Sequence, residues 1–212
     1  MSKAIVQRFI NYIKNDFNLQ SQFNVKSLSE VVFHAKILGF NFTQDELISA
    51  IGDREINIVK ERKEEFNARF SLWIPMWGKY FFTWVLEDVF GEDKKNNLNS
   101  NYMKGSMDRM AVVDFFLFIK DNYNLKNVLR IKLDSEIVKI AEKLNYKFTA
   151  ADLTDIVWDM EIFLSKKLNE KFDDTFSLWK TMWGKYYFDY IIDNIIKSLT
   201  DKEMRQIAKN GV

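Results

Sequence analysis

The chain is an internal duplication. Aligned with itself at a shift of 106 residues, VQRFINYIKNDFNL (Val6 to Leu19) matches VVDFFLFIKDNYNL (Val112 to Leu125). FSLWIPMWGKYFF (Phe70 to Phe82) matches FSLWKTMWGKYYF (Phe176 to Phe188) at the same shift. Roughly 30 of the 106 aligned positions are identical, and no gap is needed. The sequence therefore predicts two similar units, packed as a pseudo-twofold pair, which is the single-chain counterpart of a symmetric dimer.

The first segment of each unit has the pattern of an amphipathic helix. In the first unit Val6, Phe9, Ile10, Ile13 and Phe17 recur at helical spacing. We therefore expect all five side chains to face the core from a single helix.

Two capping boxes predict where the next helices begin. Ser27 precedes Glu30, and Thr43 precedes Glu46, at the spacing at which the two side chains satisfy backbone N–H groups at a helix start. The second helix is expected to end near Gly39. The third is expected to continue from Thr43 into a charged stretch, whose spacing is typical of a solvated face.

A fourth, aromatic segment is the part most similar between the units. Its apolar residues at helical spacing are Trp73, Met76, Trp77, Tyr80, Phe81, Trp84 and Val85. Pro75 fits the first turn of a helix, where its missing N–H does least harm. We predict a largely buried fourth helix in each unit, with the two aromatic helices packed against each other.

Together these patterns predict an all-α protein of two tandem helical repeats, each of about four helices. The predicted repeats are 1–90 and 107–197. An Asn/Lys-rich linker is predicted at 91–106, and a C-terminal tail at 198–212.

The start of each unit resembles the Nif-eleven-like domain. The residues that carry this resemblance are Met1-Ser2, Val6, Phe9, Ile13, Asp16, Leu19, the Ser27 to Glu30 cap, Ala35, Gly39-Phe40, Phe42-Thr43 and Glu46-Leu47. It covers about the first 45 residues of each unit. In the second unit Asn145-Tyr146 and Asp152-Leu153 replace two of these pairs.

The family is named from nitrogen-fixation gene neighbourhoods and is abundant in cyanobacteria. It is best known as the helical leader of ribosomal peptides that are later cut and modified. The tail SLTDKEMRQIAKNGV is similar to the end of such leaders, with Asn210-Gly211 at the place of their Gly-Gly cleavage site. The resemblance thus implies a leader-like protein recognised by peptide-modifying enzymes.

The composition argues against several other classes of protein. The net charge of +1 provides no overall field for nucleic acid, and the absence of cysteine excludes disulfides, thiolate chemistry and cysteine zinc sites. The polar N-terminal residues are unlike a secretory signal, so we expect a cytoplasmic protein. Lys180, Lys185, Asp189 and Asp193 argue against a transmembrane span.

The repeated WxxMWGKY motif is the candidate interaction site. Its residues are Trp73, Trp77, Gly78, Lys79 and Tyr80, with Trp179, Trp183, Gly184, Lys185 and Tyr186 as their counterparts. A glycine within a helix costs about 1 kcal/mol, so its repetition indicates a close approach to the backbone. The group that approaches the glycine backbone is expected to belong to the other unit. A partner helix and a flat apolar ligand are the alternatives. Each lysine is expected to extend past the rings to water, with a cation–π or acidic partner as the alternative.

No residue set in the sequence points to catalysis. His34 is the single histidine and aligns with Ile140, so we interpret it as structural. The carboxylates that recur in both units are Glu30/Glu136, Asp53/Asp159 and Glu55/Glu161. We assign them to helix caps and solvated faces, because no histidine, nucleophile or phosphate loop accompanies them. The sequence predicts a protein that is not an enzyme and has no metal and no cofactor.

The sequence therefore favours a non-catalytic protein-interaction or regulatory module of the Nif-eleven-like type, with a protein partner still to be identified. Association with a second copy of the chain stays open. One alternative is a leader or carrier protein recognised by peptide-modifying enzymes. The other is a carrier of a flat apolar ligand such as a pigment.

Overall fold

The chain is mostly helical, as predicted. The computed structural model describes residues 2–64, 71–76, 79–91, 108–172, 175–182 and 185–212. Within these residues the only β-type pairing is a single antiparallel bridge between Tyr80 and Tyr186. We call 2–91 the N-terminal half and 108–212 the C-terminal half. Apart from Gly91, the predicted linker at 91–106 lies outside the described residues.

The N-terminal half begins with four helices and continues into shorter helical turns. Its elements are α1 (Ser2–Lys14), α2 (Phe17–Phe23), α3 (Leu28–Ile37), α4 (Gln44–Arg62), a 3₁₀ turn (Ile74–Met76), α5 (Phe81–Trp84) and a π-helical turn (Val85–Val89).

The C-terminal half has the same order of elements and one more helix. Its elements are α6 (Arg109–Lys120), α7 (Tyr123–Leu129), α8 (Asp134–Lys143), α9 (Ala150–Leu168), a 3₁₀ turn (Ser177–Met182), α10 (Tyr187–Tyr190), a π-helical turn (Ile191–Ile196) and α11 (Asp201–Asn210). The central helices α4 and α9 both contain 19 residues.

The predicted first helix is in fact two helices. The Asp16 side chain accepts hydrogen bonds from the backbone N–H groups of Asn18 (2.8 Å) and Leu19 (3.1 Å), and so begins α2. Phe17, expected on the buried face, is 80% exposed, because the new helix turns it away from the core. The prediction was right for Val6, Phe9, Ile10 and Ile13, which are completely buried.

The predicted capping boxes are confirmed. The backbone N–H of Ser27 donates to Glu30 over 2.8 Å at the start of α3, and that of Thr43 donates to Glu46 over 2.7 Å at the start of α4. Gly39 follows α3 with a φ of 87°, a left-handed conformation that glycine adopts without strain.

The aromatic segment is not the continuous helix that its spacing predicted. The 3₁₀ turn containing Pro75 comes first, and α5 begins only after Tyr80, whose backbone is extended (φ −64°, ψ 141°). An extended residue cannot continue a helix, but it allows Tyr80 to pair with Tyr186 of the other half. The packing between the halves has therefore overridden the local helical period.

The core forms where each half packs its first long helix against its central one. Helix α1 contacts α4, α6 contacts α9, and each π-helical turn lies against the central helix of its own half. The predicted tail contains α11, which begins at a Thr200–Glu203 capping box and packs against α6 and α9. None of the described helices is both long and apolar enough to cross a bilayer.

Candidate functional site

The two aromatic segments meet between the halves. The ring of Trp73 lies 4.8 Å from that of Trp158 in α9 and 5.9 Å from that of Trp179, measured between centroids. The rings of Tyr80 and Tyr186 are 4.6 Å apart, at the backbone bridge. Aromatic rings at these separations gain from both burial and ring geometry, so the segments hold the halves together.

Both segments are fixed at their start by the same hydrogen bond. The Ser71 backbone N–H donates to Glu64 over 2.8 Å, and the Ser177 backbone N–H donates to Glu170 over 2.8 Å. Each glutamate lies just after a central helix, so these bonds tie the aromatic segments to α4 and α9. The hydrogen bonds from Ser177 also lower the pKa of Glu170.

The motif residues have different environments in the structure. Trp73 is buried, whereas Trp179, Tyr80, Tyr186 and both motif lysines are half-buried. Trp77, Gly78, Trp183 and Gly184 lie outside the described residues, and with them the close backbone approach expected at the glycines. Whether the motif binds a partner stays a prediction.

Lys79 does not simply extend its ammonium group to water. Its Nζ lies 2.7 Å from Asp88 and 2.9 Å from Glu87. Burial alone lowers the pKa of Lys79, but the hydrogen bonds to these two carboxylates outweigh burial and raise it. The acidic partners lie on the neighbouring π-helical turn, so this lysine stabilises its own half.

The C-terminal half uses a different cation near its own π-helical turn. Arg130 binds Asp193 with two hydrogen bonds, of 2.7 and 2.9 Å, and also binds Asp189. The Arg130 guanidinium is the main reason why the pKa of Asp193 lies far below its usual range. Arg130 aligns with Asn24, so the sequence repeat did not point to this cluster.

A small cavity of about 40 Å³ lies where the halves meet. The N-terminal half contributes Gly52, Glu55 and Trp73 to its wall, and the C-terminal half contributes Glu161, Trp179 and Met182. Glu55 and Glu161 were predicted to lie on solvated helix faces, and this is wrong. They are 7% and 3% exposed, because the aromatic segments cover these faces of α4 and α9.

Glu161 is a strongly perturbed carboxylic acid. Burial raises the pKa of its carboxyl group to about 8. Hydrogen bonds from Tyr190, Trp179 and Tyr187 favour the charged carboxylate but offset only part of this effect. The Tyr190 hydroxyl donates to Glu161 Oε1 over 2.8 Å. Glu161 is therefore mostly protonated at neutral pH and serves as a buried hydrogen-bonding centre.

The other recurring carboxylates match their predicted roles more closely. Glu30 and Glu136 accept backbone hydrogen bonds at the starts of α3 and α8. Asp53 pairs with Lys3, and Asp159 pairs with Arg109. Among the described residues, no group of three or more histidine, cysteine, aspartate or glutamate side chains could hold a metal ion.

A family model of the Nif11 domain matches residues 1–47, the segment that forms α1, α2, α3 and the beginning of α4. No curated protein and no solved structure matches the chain. The match confirms, over this segment, the resemblance inferred from the spacing of its apolar and capping residues. Residues 1–47 of this chain are a Nif11-like domain.

Proposed function

We propose that the protein is a non-catalytic interaction module of the Nif11-like type, and that it binds a protein partner through the outer face of α3. The observation that carries this proposal is the exposure of Phe33 and Ile37, at 62% and 66%. They lie one helical turn apart within the segment that matches the Nif11 domain. Large apolar side chains exposed side by side are typical of binding surfaces.

The C-terminal half supports this assignment, because its corresponding helix has a different outer face. Lys139 and Lys143 of α8 occupy the positions 106 residues after Phe33 and Ile37. Charged residues are thus compatible with this helix in this environment, so the fold does not require the apolar pair. A binding role explains why α3 exposes these side chains.

The surroundings of the pair indicate the chemistry of the partner. Lys36 is exposed on the same side of α3, next to Ile37. A partner helix with apolar residues at helical spacing would cover Phe33 and Ile37, and an acidic residue would pair with Lys36.

The test compares two matched double variants in pull-downs from native lysate. Phe33→Lys/Ile37→Lys removes the proposed surface, whereas Val128→Lys/Ile131→Lys changes two exposed apolar residues of the C-terminal half. We expect a partner that the wild type and the second variant retain and the first variant loses, confirmed afterwards with the purified partner. Equal retention by all three proteins would contradict the proposal.

A second candidate function is a leader or carrier protein recognised by peptide-modifying enzymes. The Nif11 match over residues 1–47 supports it, since the family is best known in that role. The same pull-down separates the two candidates. A partner that cuts or modifies peptides favours the leader function, and a partner of any other class favours the interaction module.

We also propose that the two halves are tandem repeats packed as a pseudo-twofold pair. Several contacts recur at the same spacing of 106 residues and support this arrangement: Lys3–Asp53 with Arg109–Asp159, and Glu64–Ser71 with Glu170–Ser177. A crystal structure in which one half superposes on the other after a rotation near 180° would test it.

A further inference from the structure

We propose that the cavity between the two halves binds a small alkylammonium ion. This site is separate from the outer face of α3 and does not depend on the proposed partner. Three observations carry the proposal: the origin of the cavity, the aromatic rings in its wall, and the two buried carboxyl groups beside them.

The cavity lies beside Gly52, at a position where the C-terminal half carries a tryptophan. Trp158 of α9 aligns with Gly52 of α4 at the shift of 106 residues. The ring of Trp158 packs against Trp73, whereas Gly52 and Trp179 border unfilled space. Because Gly52 has no side chain, the N-terminal half leaves unfilled a space that the C-terminal half fills with a ring.

The wall is rich in aromatic rings. Trp73, Trp84 and Trp179 all line it, together with Phe81 and Tyr187. The Trp84 ring is held in place by a hydrogen bond from its Nε1 to the Leu72 carbonyl over 2.8 Å. Indole faces attract cations through the ring quadrupole, and aromatic cages are a common means of binding methylated ammonium groups.

Two carboxyl groups complete the wall, one from each half. Glu55 lies on α4 and Glu161 on α9, and both are buried. Among the described residues, no basic side chain contributes to the ionisation of Glu161, and burial raises the pKa of its carboxyl group. Burial favours the neutral form of an acid that has no cationic neighbour. A cation brought in by a ligand would stabilise its charged form.

The volume limits the size of the ligand. A cavity of about 40 Å³ has room for about three water molecules, and so for a ligand of about three or four heavy atoms. Dimethylammonium and trimethylammonium have this size. A flat pigment is far larger than this cavity. The cavity therefore does not support the alternative function of the protein as a pigment carrier.

The test is a titration of the full-length protein with trimethylammonium chloride, followed through the indole N–H signals in NMR spectra. We expect a dissociation constant of about 1 mM, which is reasonable for a ligand of so few atoms. tert-Butanol, a neutral molecule with the same three methyl groups and one more heavy atom, is expected to bind at least about tenfold more weakly, because it lacks the charge.

Two variants locate the binding. Glu161→Gln keeps the shape of the side chain but cannot lose a proton to become a carboxylate when the cation binds, and should weaken trimethylammonium binding about tenfold while leaving tert-butanol unaffected. Gly52→Leu fills the cavity and should abolish binding of both molecules. Gly52→Ala, a milder change, should weaken binding while the helix is retained.

Three results would overturn the proposal. The first is no binding of trimethylammonium by the wild type at about 50 mM, well above the expected dissociation constant. The second is equal affinity for trimethylammonium and tert-butanol. The third is binding that neither Gly52 variant changes, which would place the ion elsewhere on the protein.

Discussion

The two halves place a large ring at the same position and satisfy its polar atom in different ways. Trp84 donates its indole N–H to the backbone carbonyl of Leu72, whereas Tyr190, 106 residues later, donates its hydroxyl to the Glu161 carboxyl group. Both rings are completely buried. The position therefore requires a large ring and a hydrogen-bond acceptor, but the acceptor may be either backbone or side chain.

The halves also differ on their outer surface. The inner sides of α3 and α8 bury equivalent residues, Val31 and Ile137, while their outer sides carry an apolar pair in one case and two lysines in the other. The buried faces carry similar residues because both helices pack in the same way within their halves. The two halves differ at the outer faces and at the cavity, and the proposed binding sites lie there.

The largest expected effect concerns the buried ring. Trp84→Ala should lower the free energy of unfolding by about 3–5 kcal/mol, because it leaves a cavity and an unpaired Leu72 carbonyl. Trp84→Tyr introduces the residue of the C-terminal half and should cost clearly less. Urea unfolding of both variants measures the difference, and equal losses would show that the ring itself contributes little.

The second prediction concerns the pH dependence of stability that Glu161 of the C-terminal half produces. Burial raises the pKa of Glu161 from 4.5 to about 8, so the folded protein holds a proton that the unfolded chain has released between these values. Because of Glu161, the free energy of unfolding should therefore fall by about 2 kcal/mol between pH 6 and pH 8. Glu161→Gln should remove this component, as measured by urea unfolding at several pH values. Parallel pH profiles for the variant and the wild type would contradict the assignment.

The third prediction concerns the charge clusters beside the π-helical turns. Arg130→Gln should lower stability by about 1–2 kcal/mol at pH 7, because the partly buried Asp189 and Asp193 lose the guanidinium and Asp193 keeps only Lys197 as a cation. The pKa of Asp193 is depressed, so this loss should shrink as the pH falls below about 4, where the carboxylates of the unfolded chain take up protons. Lys79→Met, the corresponding change in the N-terminal half, should cost less, because a lysine makes no bidentate pair. Thermal unfolding at pH 7 and pH 3 compares the two variants.

The smallest expected effect is at the outer face of α3. Phe33→Lys/Ile37→Lys should change the free energy of unfolding by no more than about 0.5 kcal/mol, because both side chains are exposed. The exchanged variant Lys139→Phe/Lys143→Ile should be equally well folded. Chemical denaturation checks both variants. A large loss in the first would mean that the apolar pair supports the fold.

Features governed by local chemistry were predictable from the sequence. Ser27 with Glu30, and Thr43 with Glu46, mark helix starts because capping depends on residues three positions apart. Val6, Phe9, Ile10 and Ile13 recur at helical spacing, so their period identifies the buried face of α1.

Features that depend on residues far apart in the sequence were not predictable. The aromatic segment is apolar at almost every position, so its helical period did not distinguish a helix from the 3₁₀ turn and extended Tyr80 that the structure contains. The burial of Glu161 depends on Tyr190, 29 residues further along the chain. The cavity depends on how Gly52 faces Trp179 across the two halves. The contrast between Gly52 and Trp158 is nevertheless visible in the aligned sequence.

The bridge between Tyr80 and Tyr186 gives the molecule a natural reporter of its own opening. It joins backbone from opposite halves, so it can form only while they are in contact. The amides around these two tyrosines should therefore exchange with deuterium at a rate set by how often the halves part, independently of the fraying of any single helix. A ligand that ties the halves together would slow this exchange without touching either tyrosine.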